Sequence, residues 1–122
     1  VTEGDVYNYA GVTGDMNSAH LNAVAAAKSR FGQRIAHGML SAGYISAVLG
    51  TTLPGEGTIY LGQEMKFTKP VFFGDTIRAT VTVAAVNPEK NIVKLSTVCT
   101  NQNGDVTLDG TATVMPPRAP KE

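Results

Sequence analysis

The amino-acid sequence predicts an α+β domain in which a curved antiparallel sheet wraps around one central apolar helix. The chain has 122 residues, which is enough for one modest hydrophobic core and too few for two. Residues 38–49 are apolar all the way round a helix and carry no charge, whereas the residues after position 58 alternate between apolar and polar. A sheet whose apolar face closes around such a helix buries both elements at once.

A helix start is predicted at the beginning of the chain. Thr2 is suited to cap the helix, and the acidic Asp5 follows three residues later. Val6, Tyr9 and Ala10 then share one face of the helix, so we expect that face to point toward the core.

Three further segments complete the first half of the chain. Residues 11–19 are rich in Gly, Asn, Asp and Ser, so we expect a loop there, followed by a short helix over residues 22–29. Residues 38–49 (GMLSAGYISAVL) form the central helix. Because a helix that is apolar on every side is normally buried on every side, we expect this one to be fully covered. Its polar side chains are Ser41, Tyr44 and Ser46.

Four strands with one buried face are predicted in the second half, because apolar residues recur there at every second position. Pro70, which has no N–H to donate, separates the first two strands, and Asn103-Gly104 predicts a hairpin between the last two. We expect residues 1–116 to form a single domain and residues 117–122 a flexible tail. The predicted core-facing residues are Ile59, Leu61, Met65 and Phe67 in the first strand, Ile77, Ala79, Val81 and Val83 in the second, Val93, Leu95 and Cys99 in the third, and Val106, Leu108, Ala112 and Val114 in the fourth.

The composition argues against several classes of partner. The formal net charge is zero and the sequence pI is about 6.9, so nothing draws the chain toward nucleic acid or anionic membranes. No apolar run approaches the roughly 20 residues that cross a bilayer, and no signal peptide is visible. The lone Cys99 excludes an internal disulfide and suits a reducing compartment. We therefore expect a cytoplasmic protein that binds neither nucleic acid nor membrane.

Polar residues that could carry chemistry concentrate in the predicted loop, at Asp15, Asn17, Ser18 and His20. On residue types alone a turn is the favoured interpretation, with Ser18 capping the helix that follows. A metal site is the weaker one, because zinc sites usually supply three or four His, Cys or carboxylate ligands and the chain has two histidines and one distant cysteine. We therefore expect no metal.

A second candidate lies at His37-Gly38-Met39, where the central helix begins. A helix N-terminus presents unpaired N–H groups and the positive end of the helix dipole, and a glycine there lets a ligand oxygen approach the backbone. A purely structural glycine is the simpler alternative. Combined with Asp15 and His20, however, this helix start would complete an acid, a base and an oxyanion stabiliser, as water addition next to a carbonyl requires.

These residues resemble a known family, the MaoC-like, R-specific enoyl-CoA hydratases. Thr13 to Leu21 (TGDMNSAHL) is similar to the hydratase 2 motif of that family. The resemblance covers most of the chain and continues through Phe31-Gly32, Ile35-Ala36-His37-Gly38-Met39-Leu40, Leu53-Pro54-Gly55, Tyr60-Leu61-Gly62-Gln63, Phe67, Pro70-Val71 and Gly74-Asp75.

The resemblance implies a hot-dog fold and the reversible addition of water to trans-2-enoyl-CoA, which is also the dehydration of 3-hydroxyacyl-CoA. It implies that Asp15 and His20 are the catalytic pair and that the backbone N–H of Gly38 binds the thioester oxygen. Asn17 and Ser46 match residues that support the site. No cofactor is implied, since coenzyme A is part of the substrate, and a homodimer or a higher homo-oligomer is expected.

Three departures from the family pattern stand beside this. Ser18 replaces a proline, Asn22 replaces an aspartate, and the family usually has a strand before the position of Val1, without which an edge strand would need cover from a partner. The rival functions are those of a hot-dog acyl-CoA thioesterase and of a non-catalytic acyl-CoA-binding domain. The first usually places a carboxylate on the central helix, which residues 38–49 lack, and the second has no use for a catalytic Asp–His pair.

Overall fold

Four helices precede four strands along the chain in the computed structural model, which describes residues 1–118. The predicted tail therefore lies mostly outside the described residues. No helix in residues 1–118 is both long and apolar enough to cross a membrane. The elements are α1 (Glu3–Thr13), α2 (Ser18–Leu21), α3 (Ala23–Ala27), α4 (Gly38–Thr51), β1 (Ile59–Phe67), β2 (Arg78–Asn87), β3 (Ile92–Thr100) and β4 (Val106–Met115).

The predicted start of α1 is confirmed. The Thr2 side chain accepts from the Asp5 N–H while the Asp5 carboxylate accepts from the Thr2 N–H, so a complete capping box closes the helix. Val6 and Ala10 are buried, as their spacing predicted.

The predicted loop over residues 11–19 is wrong at both ends. Helix α1 continues to Thr13 and stops at Gly14, whose φ of 81° is the left-handed conformation that favours glycine. Helix α2 already begins at Ser18, so the connection has four residues. The cap of α2 is Asn17, whose side-chain oxygen accepts from the Ala19 N–H. Ser18 is therefore the first residue of the helix and not its cap.

The sheet has four antiparallel strands in the order β1-β4-β3-β2, which leaves β1 and β2 at its edges. The predicted hairpin joins β3 to β4 through Gly104, which has a φ of 80°. Between β1 and β4 the backbones come unusually close, because a Cβ placed on Gly110 would collide with the Glu64 carbonyl oxygen.

The main core lies between α4 and the sheet. The α4 side chains Ile45 and Leu49 pack against residues of β3 and β4, all of them at most 1% exposed: Leu95, Cys99, Leu108, Ala112 and Val114. Ile77, Ala79, Val81, Met65 and Val93 pack around this cluster, as predicted.

Five predicted core positions are wrong, and the strand order explains them. The side chains of Ile59, Leu61, Phe67, Val83 and Val106 are each at least 39% exposed. Strands β1 and β2 are edge strands, and bulges after Tyr60 and Val83 interrupt their alternation. Val106 lies at the end of β4, where the register with β3 shifts.

The central helix is covered on one side only, contrary to expectation. Its buried face comprises Ser41, Ile45 and Leu49, spaced one helical turn apart. Residues such as Gly43 and Ala47 on the other side are exposed among the described residues. The side chains at these two positions are small, whereas Met39 of the same helix is a large apolar side chain that is 50% exposed.

Candidate active site

A cavity of about 400 Å³ opens where the α1–α2 connection, the start of α4 and the end of β1 meet. Asp15, His20, His37 and Gly38 all line it. The structure thus brings together two segments that the sequence had marked separately, the loop and the helix start. The fold does so through backbone pairing, since the Ile35 N–H donates to the Ala19 carbonyl at 3.1 Å and links α2 to the segment before α4.

Asp15 follows the glycine that ends α1, so its position is set by the helix end. Its backbone N–H donates to the Thr13 hydroxyl at 3.1 Å, and one carboxylate oxygen accepts from the Asn17 N–H at 3.3 Å. The second carboxylate oxygen makes no hydrogen bond to the described residues. This exposed carboxylate is therefore oriented by the backbone while one oxygen stays available to a ligand.

His20 lies on the short helix α2, with its ring half-buried. Its Nδ1 lies 2.7 Å from the Ile35 carbonyl oxygen. A carbonyl can only accept, so Nδ1 carries the proton, and in the neutral ring Nε2 is left with a lone pair. The backbone thereby selects the tautomer that can take a proton at Nε2.

His37 lies between these two residues and is 2% exposed. Its Nε2 is 3.0 Å from the Asp15 backbone carbonyl, and its ring stacks on that of His20 with centroids 3.9 Å apart. The ring of Tyr9 covers it from another side at 4.6 Å.

Asp15, His20 and His37 are the one group in residues 1–118 that could hold a metal ion, since a ligand atom from each lies within 4.8 Å of the others. The two imidazole planes are tilted by 30° to each other. Backbone carbonyls accept from Nδ1 of His20 and Nε2 of His37, so the free lone pairs lie on His20 Nε2 and on the buried His37 Nδ1. The same cluster of acceptors and donors offers several of the polar partners that an ordered water molecule needs.

Gly38 begins α4, whose first turn receives no side-chain cap from His37. Its N–H therefore belongs to the unpaired, dipole-positive end of a 14-residue helix. A Cβ at this position would lie 2.8 Å from the Phe67 ring, so a larger residue would require that half-exposed ring to move. Both interpretations made from the sequence, the oxyanion site and the structural glycine, thus have a physical basis here.

The two supporting residues fall in different places. Asn17 caps the helix that carries His20 and so belongs to the site. Ser46 lies two turns along α4 and lines a second cavity, also of about 400 Å³, with Tyr60, Leu61 and Gln63. The structure does not bring Ser46 together with Asp15 and His20.

The lone thiol takes no part in this cavity. Cys99 is fully buried in the sheet core, where it faces the Ser41 carbonyl oxygen at 3.8 Å. Burial raises the pKa of the Cys99 thiol to about 11. At neutral pH it therefore stays a thiol, which is a poor nucleophile.

Among the other residues that line the cavity, Arg30, Lys69 and Phe67 were not singled out for the site from the sequence. Arg30 and Lys69 are exposed, so they lie at its rim. Basic residues that are scattered along a sequence form no recognisable motif. Their common location depends on long-range packing, and no signal in the sequence identifies it.

Comparison with solved structures identifies the class of fold. An R-hydratase from Pseudomonas aeruginosa superposes with a TM-score of 0.92 at 46% identity, over 98% of this chain and 76% of that one. An (R)-hydratase from A. caviae involved in PHA biosynthesis superposes with a TM-score of 0.92 at 40% identity, over 95% of this chain and 88% of that one. The predicted α+β hot-dog fold is therefore confirmed.

Comparison of sequences identifies the family. The model of the MaoC-like domain matches residues 1–104. An (R)-specific enoyl-CoA hydratase from Rhodospirillum rubrum is 54% identical over 117 residues, which is 96% of this chain and 81% of that relative. A 3-hydroxybutyryl-CoA dehydratase from Methylorubrum extorquens is 44% identical, over 97% of this chain and 74% of that relative. The chain belongs to the MaoC-like domain family, and the resemblance noted from the sequence is confirmed.

Proposed function

We propose that this protein is an R-specific enoyl-CoA hydratase, which adds water reversibly to trans-2-enoyl-CoA to give (R)-3-hydroxyacyl-CoA. The observation that carries the proposal is the Asp15 carboxylate beside the His20 imidazole, in a cavity that also contains the start of α4. The names of the relatives at 54% and 44% identity support the same reaction in both directions.

In the proposed mechanism Asp15 and His20 hold one water molecule beneath the C2–C3 double bond. The water oxygen attacks C3 while one of the pair takes a proton from it, and the pair returns a proton to C2 on the same face. The Nε2 of His20 has a lone pair for this exchange, because Nδ1–H is committed to Ile35. Each acid–base role contributes about 10²- to 10⁴-fold in rate.

The Gly38 N–H would stabilise the thioester oxygen as it gains enolate character. A preorganised backbone donor at a dipole-positive helix end needs no rearrangement when the charge develops. The reaction moves no electrons to a carrier, so we propose that it needs neither a redox cofactor nor a metal.

Arg30 and Lys69 are suited to the carrier end of the substrate. Both are exposed at the rim of the cavity. The phosphates of coenzyme A lie on the part of the thioester that would extend out of the cavity. Lys69 is 3.3 Å from Asp105, whereas Arg30 stacks over Phe31 with its guanidinium 5.0 Å from the ring centroid. The planar, weakly hydrated guanidinium is the better phosphate ligand of the two.

We further propose a homodimer formed through the β1 edge. This strand presents Ile59, Leu61 and Phe67, each about half exposed, beside unpaired backbone groups. Light scattering after gel filtration should give twice the mass of the chain, and a monomer at micromolar concentration would contradict this part of the proposal. We also propose a cytoplasmic role in fatty-acid metabolism, which the acyl-CoA substrate and the free thiol support.

The test of the activity is absorbance at the enoyl-thioester band with crotonyl-CoA, using Asp15→Asn as the control. A fall in absorbance with the wild type alone, giving the R product, is the expected result. Crotonyl-pantetheine, which lacks the nucleotide phosphates, should react with a higher KM. A folded protein inert toward short and long enoyl-CoAs would contradict the proposal and favour a binding domain, whereas release of free thiol would indicate a thioesterase.

A further inference from the structure

His37 makes contacts that neither packing nor helix capping explains. It is 2% exposed and occupies the N-cap of α4, a position where side chains usually accept a hydrogen bond from the first helical turn. The His37 side chain makes no such bond.

The ring instead directs one nitrogen at the catalytic loop. The Asp15 carbonyl oxygen, 3.0 Å from Nε2, can only accept, so Nε2 carries the proton. The other nitrogen, Nδ1, is buried and has no hydrogen-bond partner. Leaving a buried acceptor unpaired is unfavourable. The side chain therefore holds this orientation at the expense of a helix cap and of one hydrogen bond.

The same ring also limits the position of His20. The two imidazoles stack with centroids 3.9 Å apart, and Tyr9 packs against His37 from another side at 4.6 Å. One buried side chain thus touches the backbone of one member of the proposed catalytic pair and the ring of the other.

We infer that His37 is a positioning residue, which fixes the separation of the Asp15 carboxylate and the His20 imidazole through its Nε2–H bond and its stacked ring. This inference rests on the proposed hydratase function. The Nε2–H bond holds the backbone of Asp15 in the α1–α2 connection, and the ring contact holds His20 on a helix of only four residues. His37 also lines the cavity, but the substrate contacts proposed above are made by Gly38 and the rim, so we expect KM to depend on those.

Two variants separate the hydrogen bond from the ring. His37→Phe keeps an aromatic ring for the stack and removes the donor, whereas His37→Gln keeps an amide N–H at similar reach and removes the ring. We expect His37→Phe to lower kcat about 100-fold with little change in KM, since misplacement of a catalytic group by about 1 Å costs this much. His37→Gln, which keeps a donor, should lower kcat by only about tenfold relative to the wild type. A role in packing alone would give the reverse order.

The measurements are steady-state kinetics with crotonyl-CoA and thermal unfolding of each variant. A folded His37→Phe protein with wild-type kcat, measured beside an active wild type, would overturn the inference and leave the hydratase function intact. A wild type inactive on all enoyl-CoAs would overturn the proposed function itself.

NMR of the wild type keeps the inference testable if both variants unfold. The His37 imidazole should appear as the Nε2–H tautomer, with a proton protected from solvent exchange. An Nδ1–H tautomer or a rapidly exchanging proton would overturn the inference, because the bond to Asp15 would then be absent.

Discussion

The sheet core and the candidate active site are held together in different ways. In the core, Leu95, Leu108 and Val114 are completely buried, and each contributes through apolar area removed from water. In the site, Asp15 is exposed and His20 half-buried, and their positions depend on a few hydrogen bonds, such as that from His20 to the Ile35 carbonyl. Stability and proposed activity therefore depend on separate contacts, and substitutions should separate them.

The largest expected effect lies in the site. Asp15→Asn and His20→Gln should each lower kcat about 10²- to 10⁴-fold, because each removes one acid–base group. Neither side chain contributes to the apolar core, so thermal unfolding should stay within a few degrees of the wild type. Activity assays and calorimetry on the same preparations check both halves of this expectation. Near-normal turnover of Asp15→Asn would disprove the mechanism.

The converse substitution is Leu95→Ala in β3. Leu95 is fully buried against Ile45 and Leu49, so its truncation leaves a cavity and should lower the free energy of unfolding by about 2–5 kcal/mol. Per folded molecule, kcat should stay close to that of the wild type. Urea unfolding and active-site-normalised kinetics test this, and a specific loss of kcat would show that core and site are coupled.

Cys99 should make the free energy of unfolding depend on pH without involving the candidate active site. Its pKa rises from 9.0 to about 11 in the folded protein, so between these values the unfolded chain binds fewer protons than the folded one. The free energy of unfolding should therefore fall as the pH rises through this interval, by up to about 3 kcal/mol. In Cys99→Ala the same urea titrations should show a smaller fall, and an identical one would show that the thiol makes no contribution.

A small effect on stability is expected at Asn17, together with a measurable effect on kcat, so this residue tests the separation of core and site directly. Asn17→Ala removes the cap of α2 and should cost about 1 kcal/mol or less, because α2 has only four residues and frays readily. Since α2 carries His20, kcat should nevertheless fall measurably. Asn17→Ser, which retains a capping oxygen, is the matched control and should retain most of the activity. If both variants lost activity equally, capping would not be the relevant role.

The sequence predicted most of the core and several residues of the candidate site, for physical reasons that differ. Alternation located the buried face of β3, because that strand has neighbours on both sides. It misjudged Ile59 and Val83, since exposure there depends on strand order and bulges, which are long-range properties. For the helix from Gly38, hydrophobicity predicted burial but not how many sides the sheet would cover.

In the site, the loop motif singled out Asp15 and His20, and the structure places them together. The contact between His37 and Asp15 joins residues 22 positions apart and depends on the pairing of Ile35 with Ala19. No local pattern encodes such a contact. The contact between Gly38 and Phe67 is likewise long-range, because Phe67 lies in β1 and no pattern in the sequence connects that strand to the start of α4.

The close approach of β1 and β4 at Gly110 limits how the protein could be redesigned. Any side chain there would displace the Glu64 backbone, so a library that randomises β4 should keep this codon fixed. Asp109 and Thr111, on either side of it, are exposed, so more side chains should be tolerated there. A redesign of this strand therefore has more freedom at its exposed positions than at this backbone contact.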